Sequence, residues 1–132
     1  MKSPGKGRRQ HAEEHGAAAV EFAIIASLLF MLVFGIIEYG RIFNQLEVFT
    51  SAAREGARVA AVRGTADEIE DAVNKSSSPY LPDESPVADK VCTDATSGQA
   101  VTVSWTQHFE ISIGILPPLN KDVEVKGVFR CE

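Results

Sequence analysis

The sequence predicts an α+β protein. One long N-terminal helix crosses a membrane with its first half and packs its second half on a small antiparallel β-sheet, with a short second helix between. Three observations carry this reading. Residues 22–37 are apolar without a charge or a proline. From Ile42 to Ala60, apolar side chains recur at three- and four-residue steps, the period of a helix with one buried face. Residues 100–106 then alternate, with Val101, Val103 and Trp105 on one face and Thr102, Ser104 and Thr106 on the other, the period of a half-buried strand.

The helix is expected over residues 17–62, a stretch without proline in which Gly35, Gly40 and Gly56 are isolated. From Gly16 to Ile37 a helix rises about 33 Å, enough for a hydrocarbon core of about 30 Å. Glu21 is the one ionisable residue in that span. A carboxylate there costs about 1–3 kcal/mol on insertion scales, so it asks for a reason. A secretory signal would have a shorter apolar core followed by a small-x-small cleavage site, and Gly35-Ile36-Ile37-Glu38-Tyr39-Gly40 offers none. A plain uncleaved anchor explains the hydrophobicity but leaves Glu21 without a role.

Charge sets the expected orientation. Formal charge is −5 over the chain, from 13 basic and 18 acidic residues. Residues 1–16 hold Lys2, Lys6, Arg8 and Arg9 against Glu13 and Glu14. Without them 9 basic and 16 acidic residues remain, a net −7. Basic residues before the span keep the N-terminus in the cytoplasm and put residues from about 38 onward outside. An acidic external part argues against nucleic acid as a partner. Residues 1–16 read as a flexible cytoplasmic leader. His11-Ala12-Glu13-Glu14-His15 lacks the Glu directly after the first His that a zinc-protease helix needs, and Arg8-Arg9 lacks a twin-arginine context.

Beyond the membrane the stripe runs Ile42, Leu46, Phe49, Ala53, Gly56 or Ala57, and Ala60, with Glu47, Ser51, Arg54 and Arg58 on another face. The small residues Ala53, Gly56, Ala57 and Ala60 let another element approach closely, either this chain's own sheet or a neighbouring subunit. Gly64 stops the helix. Thr65 with Glu68 is a capping-box pattern that starts a second helix over about 66–75, with Ile69, Ala72 and Val73 inward. Its acidic residues suit a helix N-terminus and lack the alternating ligands and central glycine of a calcium loop.

Pro79, Pro82 and Pro86 mark a loop. A short strand is expected within residues 87–93, then the strand at 100–106. A further alternation follows at Phe109, Ile111, Ile113 and Ile115, then a turn at Pro117-Pro118-Leu119-Asn120. A last strand is expected over about 122–130 with Val123, Val125, Phe129 and Cys131 on one face. Cys92 and Cys131 lie on the external side, where a pair is more often a disulfide than a metal site. The alternative is two free thiols; two sulfurs alone do not fill a zinc site.

Gly16-Ala17-Ala18-Ala19-Val20-Glu21-Phe22, a small residue and then Glu at the fifth place of an apolar helix, resembles a type IV prepilin signal. Together with Phe34-Gly35-Ile36-Ile37-Glu38-Tyr39-Gly40-Arg41 and Ala52-Ala53-Arg54-Glu55-Gly56-Ala57-Arg58, it resembles the TadE-like minor pilins or pseudopilins of the tight-adherence (Flp, type IVc) pilus system. The principal Flp pilins are shorter and carry Glu-Tyr where this chain has Glu21-Phe22. The resemblance is strong over residues 16–63 and only architectural beyond them.

It implies a pilin-like fold divided into a leader (1–16), a transmembrane part (17–37), an extracytoplasmic part of the same helix (38–63) and a small head (64–132). It implies cleavage between Gly16 and Ala17 by a prepilin peptidase. It further implies partnership with other pilins and an assembly platform at the cytoplasmic membrane, serving adhesion and surface colonisation. Glu21 can neutralise the new amine of Ala17, its own or a neighbour's, because residues four apart share a helix face. No enzyme activity, cofactor or metal is expected: His108 is the one external histidine, and no nucleophile, phosphate-loop or metal motif accompanies it. The competing reading is an uncleaved single-pass membrane protein with a small external binding or sensing domain.

Overall fold

The structure, a computed structural model, describes residues 7–112 and 117–132, with residues 7–15 described by their helical backbone alone. Over the described residues it is α+β: a long helix α1 (Gly7–Ala61), a short helix α2 (Ala66–Ser77) and three strands, β1 (Val87–Ala88), β2 (Ala100–Ile111) and β3 (Leu119–Arg130). The strands form one antiparallel sheet in the order β1-β2-β3.

Helix α1 begins ten residues before the expected start at 17, so the irregular leader is corrected from Gly7 onward. No proline falls between Gly7 and Gly16, and Arg8, Arg9, Gln10, Glu13 and Glu14 are strong helix formers. The helix ends in a Schellman motif: Gly64 N–H donates to Val59 O at 3.0 Å and Arg63 N–H to Ala60 O at 3.2 Å. Arg63, with φ 67°, takes the left-handed position that glycine usually fills. Gly64 is fixed by close packing instead, since a Cβ there would lie 2.5 Å from Val59 Cγ1.

The capping box of α2 is formed. Thr65 Oγ1 accepts from Glu68 N–H at 3.3 Å, and Glu68 Oε2 accepts from Thr65 N–H at 2.8 Å. Ile69, Val73 and Ser77 are its buried residues, and Ala72 is half-buried. The strand expected within 87–93 is reduced to two residues, and Cys92 lies past it. The alternations at 100–106 and from Phe109 belong to one strand. The inward set is Val101, Val103, Trp105, Gln107 and Phe109. Gln107 hides the continuity in the sequence because a polar residue takes an inward place. Its side chain is held by Asp83 Oδ2 at 2.5 Å, and its Oε1 accepts from Trp105 Nε1 at 3.3 Å.

Ile113 and Ile115 lie outside the described residues. Strand β3 starts at Leu119, so Leu119 and Asn120 are strand and not turn. Phe129 follows the parity of Val125 but is 40% exposed, because it stands near the end of the sheet opposite Val101.

The core is the contact between the distal half of α1, α2 and the inner sheet face. Phe49 gathers the aromatic end, with ring centroids 6.2 Å from Tyr80 and Trp105 and 6.4 Å from Phe109. At the other end, strand and helix backbones nearly touch. A Cβ on Gly127 would lie 2.1 Å from the carbonyl carbon and oxygen of Ala53. Below and above β1, carboxylates occupy the open edge of β2: Asp89 Oδ1 accepts from Thr102 N–H, Glu84 Oε2 from Thr106 N–H and Asp83 Oδ2 from His108 N–H, at 2.8, 3.1 and 2.8 Å. Acidic side chains on an edge block pairing with another strand.

Candidate functional site

The candidate site is the proximal part of α1. Gly16, Ala17, Glu21 and Phe22 sit in unbroken helix, and all four are exposed, Phe22 to 72%. Ala17 and Glu21 are one turn apart on one face. Among the described residues, none covers residues 16–34 beyond leaving Ala26 half-buried, although the surface there is almost wholly apolar. Its one hydroxyl, Ser27 Oγ, donates back to Ile24 O at 2.8 Å, so it leaves no unmatched donor in lipid. Among the described residues, this is the helix long and apolar enough to cross a membrane, and none of its apolar window is buried. A single N-terminal apolar helix of this kind fits a membrane anchor.

Past the apolar run, Arg41 Nη2 meets Glu38 Oε1 at 2.7 Å, and Tyr39 stacks on Phe43 with centroids 6.3 Å apart. The helix then enters the head. Ala53, Gly56, Ala57 and Ala60 are buried together under this chain's own α2, β2 and β3. A Cβ on Gly56 would lie 2.6 Å from Val73 Cγ2 and 3.4 Å from Val103 Cγ1. The small-residue face is thus occupied from within. Ala17 and Ala53, 36 residues apart, stand about 54 Å from each other along the helix, so the two groups do not form one site.

Arg54 is exposed. Arg58 is held by Glu55, Nη2 to Oε1 at 2.5 Å. The hydrogen bond from Arg58 keeps the Glu55 carboxyl below its ordinary value. Cys92 and Cys131 are joined in a disulfide with Cα atoms 5.5 Å apart. Beside it Glu132 N–H donates to Ala61 O at 3.2 Å, which ties the end of the sheet to the end of α1. His108 Nδ1 lies 2.6 Å from Asp122 Oδ1 on the exposed sheet face. That hydrogen bond, with the charges of Asp122, Asp83 and Glu84, raises the imidazole pKa.

The features that sequence reasoning missed are non-local: the Gly127–Ala53 approach, the Asp83–Gln107 pair and the carboxylates on the edge of β2. A glycine inside the pattern of the last strand was the one available signal, since such a glycine often marks a close backbone approach.

Residues 16–58 match the family model described as TadE-like protein. Over this stretch the chain is similar to the TadE-like family. The match begins at Gly16, takes in the apolar span and ends where α1 lies under the sheet. It suggests a protein associated with the tight-adherence pilus machinery and with a membrane. Neither a search of curated proteins nor one of solved structures gives a match to this chain. The head lies outside the matched residues and therefore rests on its own geometry.

Proposed function

We propose that this TadE-like chain is a minor pilin or pseudopilin, cleaved between Gly16 and Ala17 by a prepilin peptidase and assembled with other pilins at the cytoplasmic membrane. The observation that carries the reading is an exposed carboxylate, Glu21, in an apolar helix surface that the rest of the described residues leave uncovered. Cleavage creates an amine at Ala17 one turn away. A paired charge passes from lipid into a bundle of helices at far lower cost than an isolated one. Glu21 then sets the register of a subunit against its neighbour, while Phe22 and the apolar side chains after it exchange lipid for other helices.

Gly16 suits a peptidase in two ways. It is small, with open space around its Cα. It also weakens the helix locally, by about 1 kcal/mol relative to alanine, where the scissile bond must open. The head, closed by its disulfide, stays outside.

The test is the N-terminal mass of the native protein extracted from membranes, reduced and unreduced. A start at Ala17 with the Cys92–Cys131 link intact supports the processed subunit. An intact leader, in cells whose prepilin peptidase cuts its other substrates, sinks it in favour of an uncleaved anchor carrying a small external domain.

A further inference from the structure

Two contacts fix how the sheet lies along α1. Gly127 abuts Ala53, and Glu132 N–H reaches Ala61 O. Five residues of extended chain, about 17 Å, therefore cover eight residues of helix, about 12 Å, so the strands advance along the helix axis by about 0.7 of their length. Continued downward from Gly127 to Leu119, eight residues of β3 descend about 18 Å, or about 12 helical residues below Ala53. Leu119, and Ile111 paired with it, thus stand level with about Arg41, at the outer end of the membrane span.

Beside the Glu38–Arg41 ion pair, exposed apolar side chains stand at that level on both elements. Leu119 is 64% exposed and Tyr39 is 71% exposed. Phe43, stacked on Tyr39, is exposed too, and so are Pro117 and Pro118. Residues 111–119 hold no charge in sequence; charges begin at Glu110 on β2 and Lys121 on β3. Polarity changes within about two residues on both strands. The opposite end of β3 carries Arg130 and lies beside the C-terminus. Aromatic rings at a membrane–water boundary sit at headgroup level, which is where Tyr39 and Phe43 fall.

We propose that the membrane-proximal end of the β2–β3 hairpin, at Ile111, Pro117, Pro118 and Leu119, rests in the lipid headgroup region beside the Tyr39–Phe43 pair. The head is then held against the bilayer at two points, the helix and the hairpin end, and is fixed in rotation about α1. This rests on α1 spanning a bilayer. The occupant of the surface is lipid, because the level set by the two contacts coincides with the end of the apolar span.

The test uses the full chain, disulfide intact, in phosphatidylcholine vesicles with and without lipids brominated on the acyl-chain carbons nearest the headgroup. Tryptophan is placed singly by Leu119→Trp, by Val128→Trp at the far end of the same strand and by Phe30→Trp inside the span. The parent chain, whose Trp105 is buried, gives the background. Bromolipid quenching of Leu119→Trp is expected to be at least about twofold that of Val128→Trp, with blue-shifted emission. Equal quenching of the two, low or high, while Phe30→Trp is quenched, overturns the proposal and leaves the membrane span standing. An unquenched Phe30→Trp overturns both.

Discussion

Gly127→Ala tests the packing of the head most directly. The added Cβ would meet Ala53 C and O at 2.1 Å and Arg54 N at 2.4 Å, all backbone atoms that no rotamer change can move aside. Ordinary contact needs about 3.4 Å, so strand and helix must part by about 1.3 Å at that point, which forfeits a quarter or more of the contact energy of the atoms that separate. Overpacking of this kind costs about 1–3 kcal/mol, and a rigid backbone obstacle belongs at the upper end. For a head of this size that is a fall in Tm of about 10–20 °C.

Two companions grade the effect. At Gly56 the obstacle is the Val73 side chain at 2.6 Å, which can shift a little, so Gly56→Ala should cost less. Gly40 has nothing within 4 Å, and Gly40→Ala should leave Tm unchanged or slightly raised. The assay is thermal unfolding of the full chain in detergent micelles, followed by near-ultraviolet circular dichroism of Trp105. A Gly127→Ala variant within about 3 °C of the parent, or an order of losses other than Gly127, Gly56, Gly40, refutes the strand–helix approach.

The remaining predictions concern processing, charge and the covalent link. Gly16→Leu should leave the precursor uncut, seen as an unshifted mass, because a large side chain replaces the small one before the scissile bond. Glu21→Ala should insert in membranes as the parent does yet be depleted from sheared pili; equal recovery in pili removes the role given to Glu21. Replacing both Cys92 and Cys131 with alanine opens a loop of 39 residues and should lower stability by about 4 kcal/mol in the chain-entropy model, read by urea unfolding. The raised pKa of His108 means that its pair with Asp122 stabilises fully below the ordinary histidine value, and the contribution fades as pH rises through the raised one. An NMR titration should find the His108 midpoint above that ordinary value, and Asp122→Asn should lower it.

The elements legible in the sequence were those whose signals are local. Helix α2 is announced by Thr65 and Glu68, three residues apart, and the structure closes that box. The alternation from Val101 to Trp105 reads correctly because the sheet has one buried face. The early start of α1 was missed because a basic, polar run was read as irregular although its residues favour helix. Strand β2 looked like two segments because Gln107 is inward, and nothing near it in sequence says that Asp83, 24 residues away, will satisfy it. The meaning of Gly127 was out of reach for the same reason: it depends on which turn of α1 lies opposite. The exposed Ala17–Glu21 face was legible because four residues of helix always return to one side.

The link between Cys92 and Cys131 has a mechanical meaning. A pull on the two ends of the chain reaches Cys92 and passes through sulfur to Cys131, bypassing the 39-residue separation that contains both long strands. Unravelled, that length would release roughly 130 Å of slack. Under tension the hairpin is hidden length that force cannot pay out, so a stretched chain keeps the β2–β3 pair, whereas β1, which precedes Cys92, lies outside that protection.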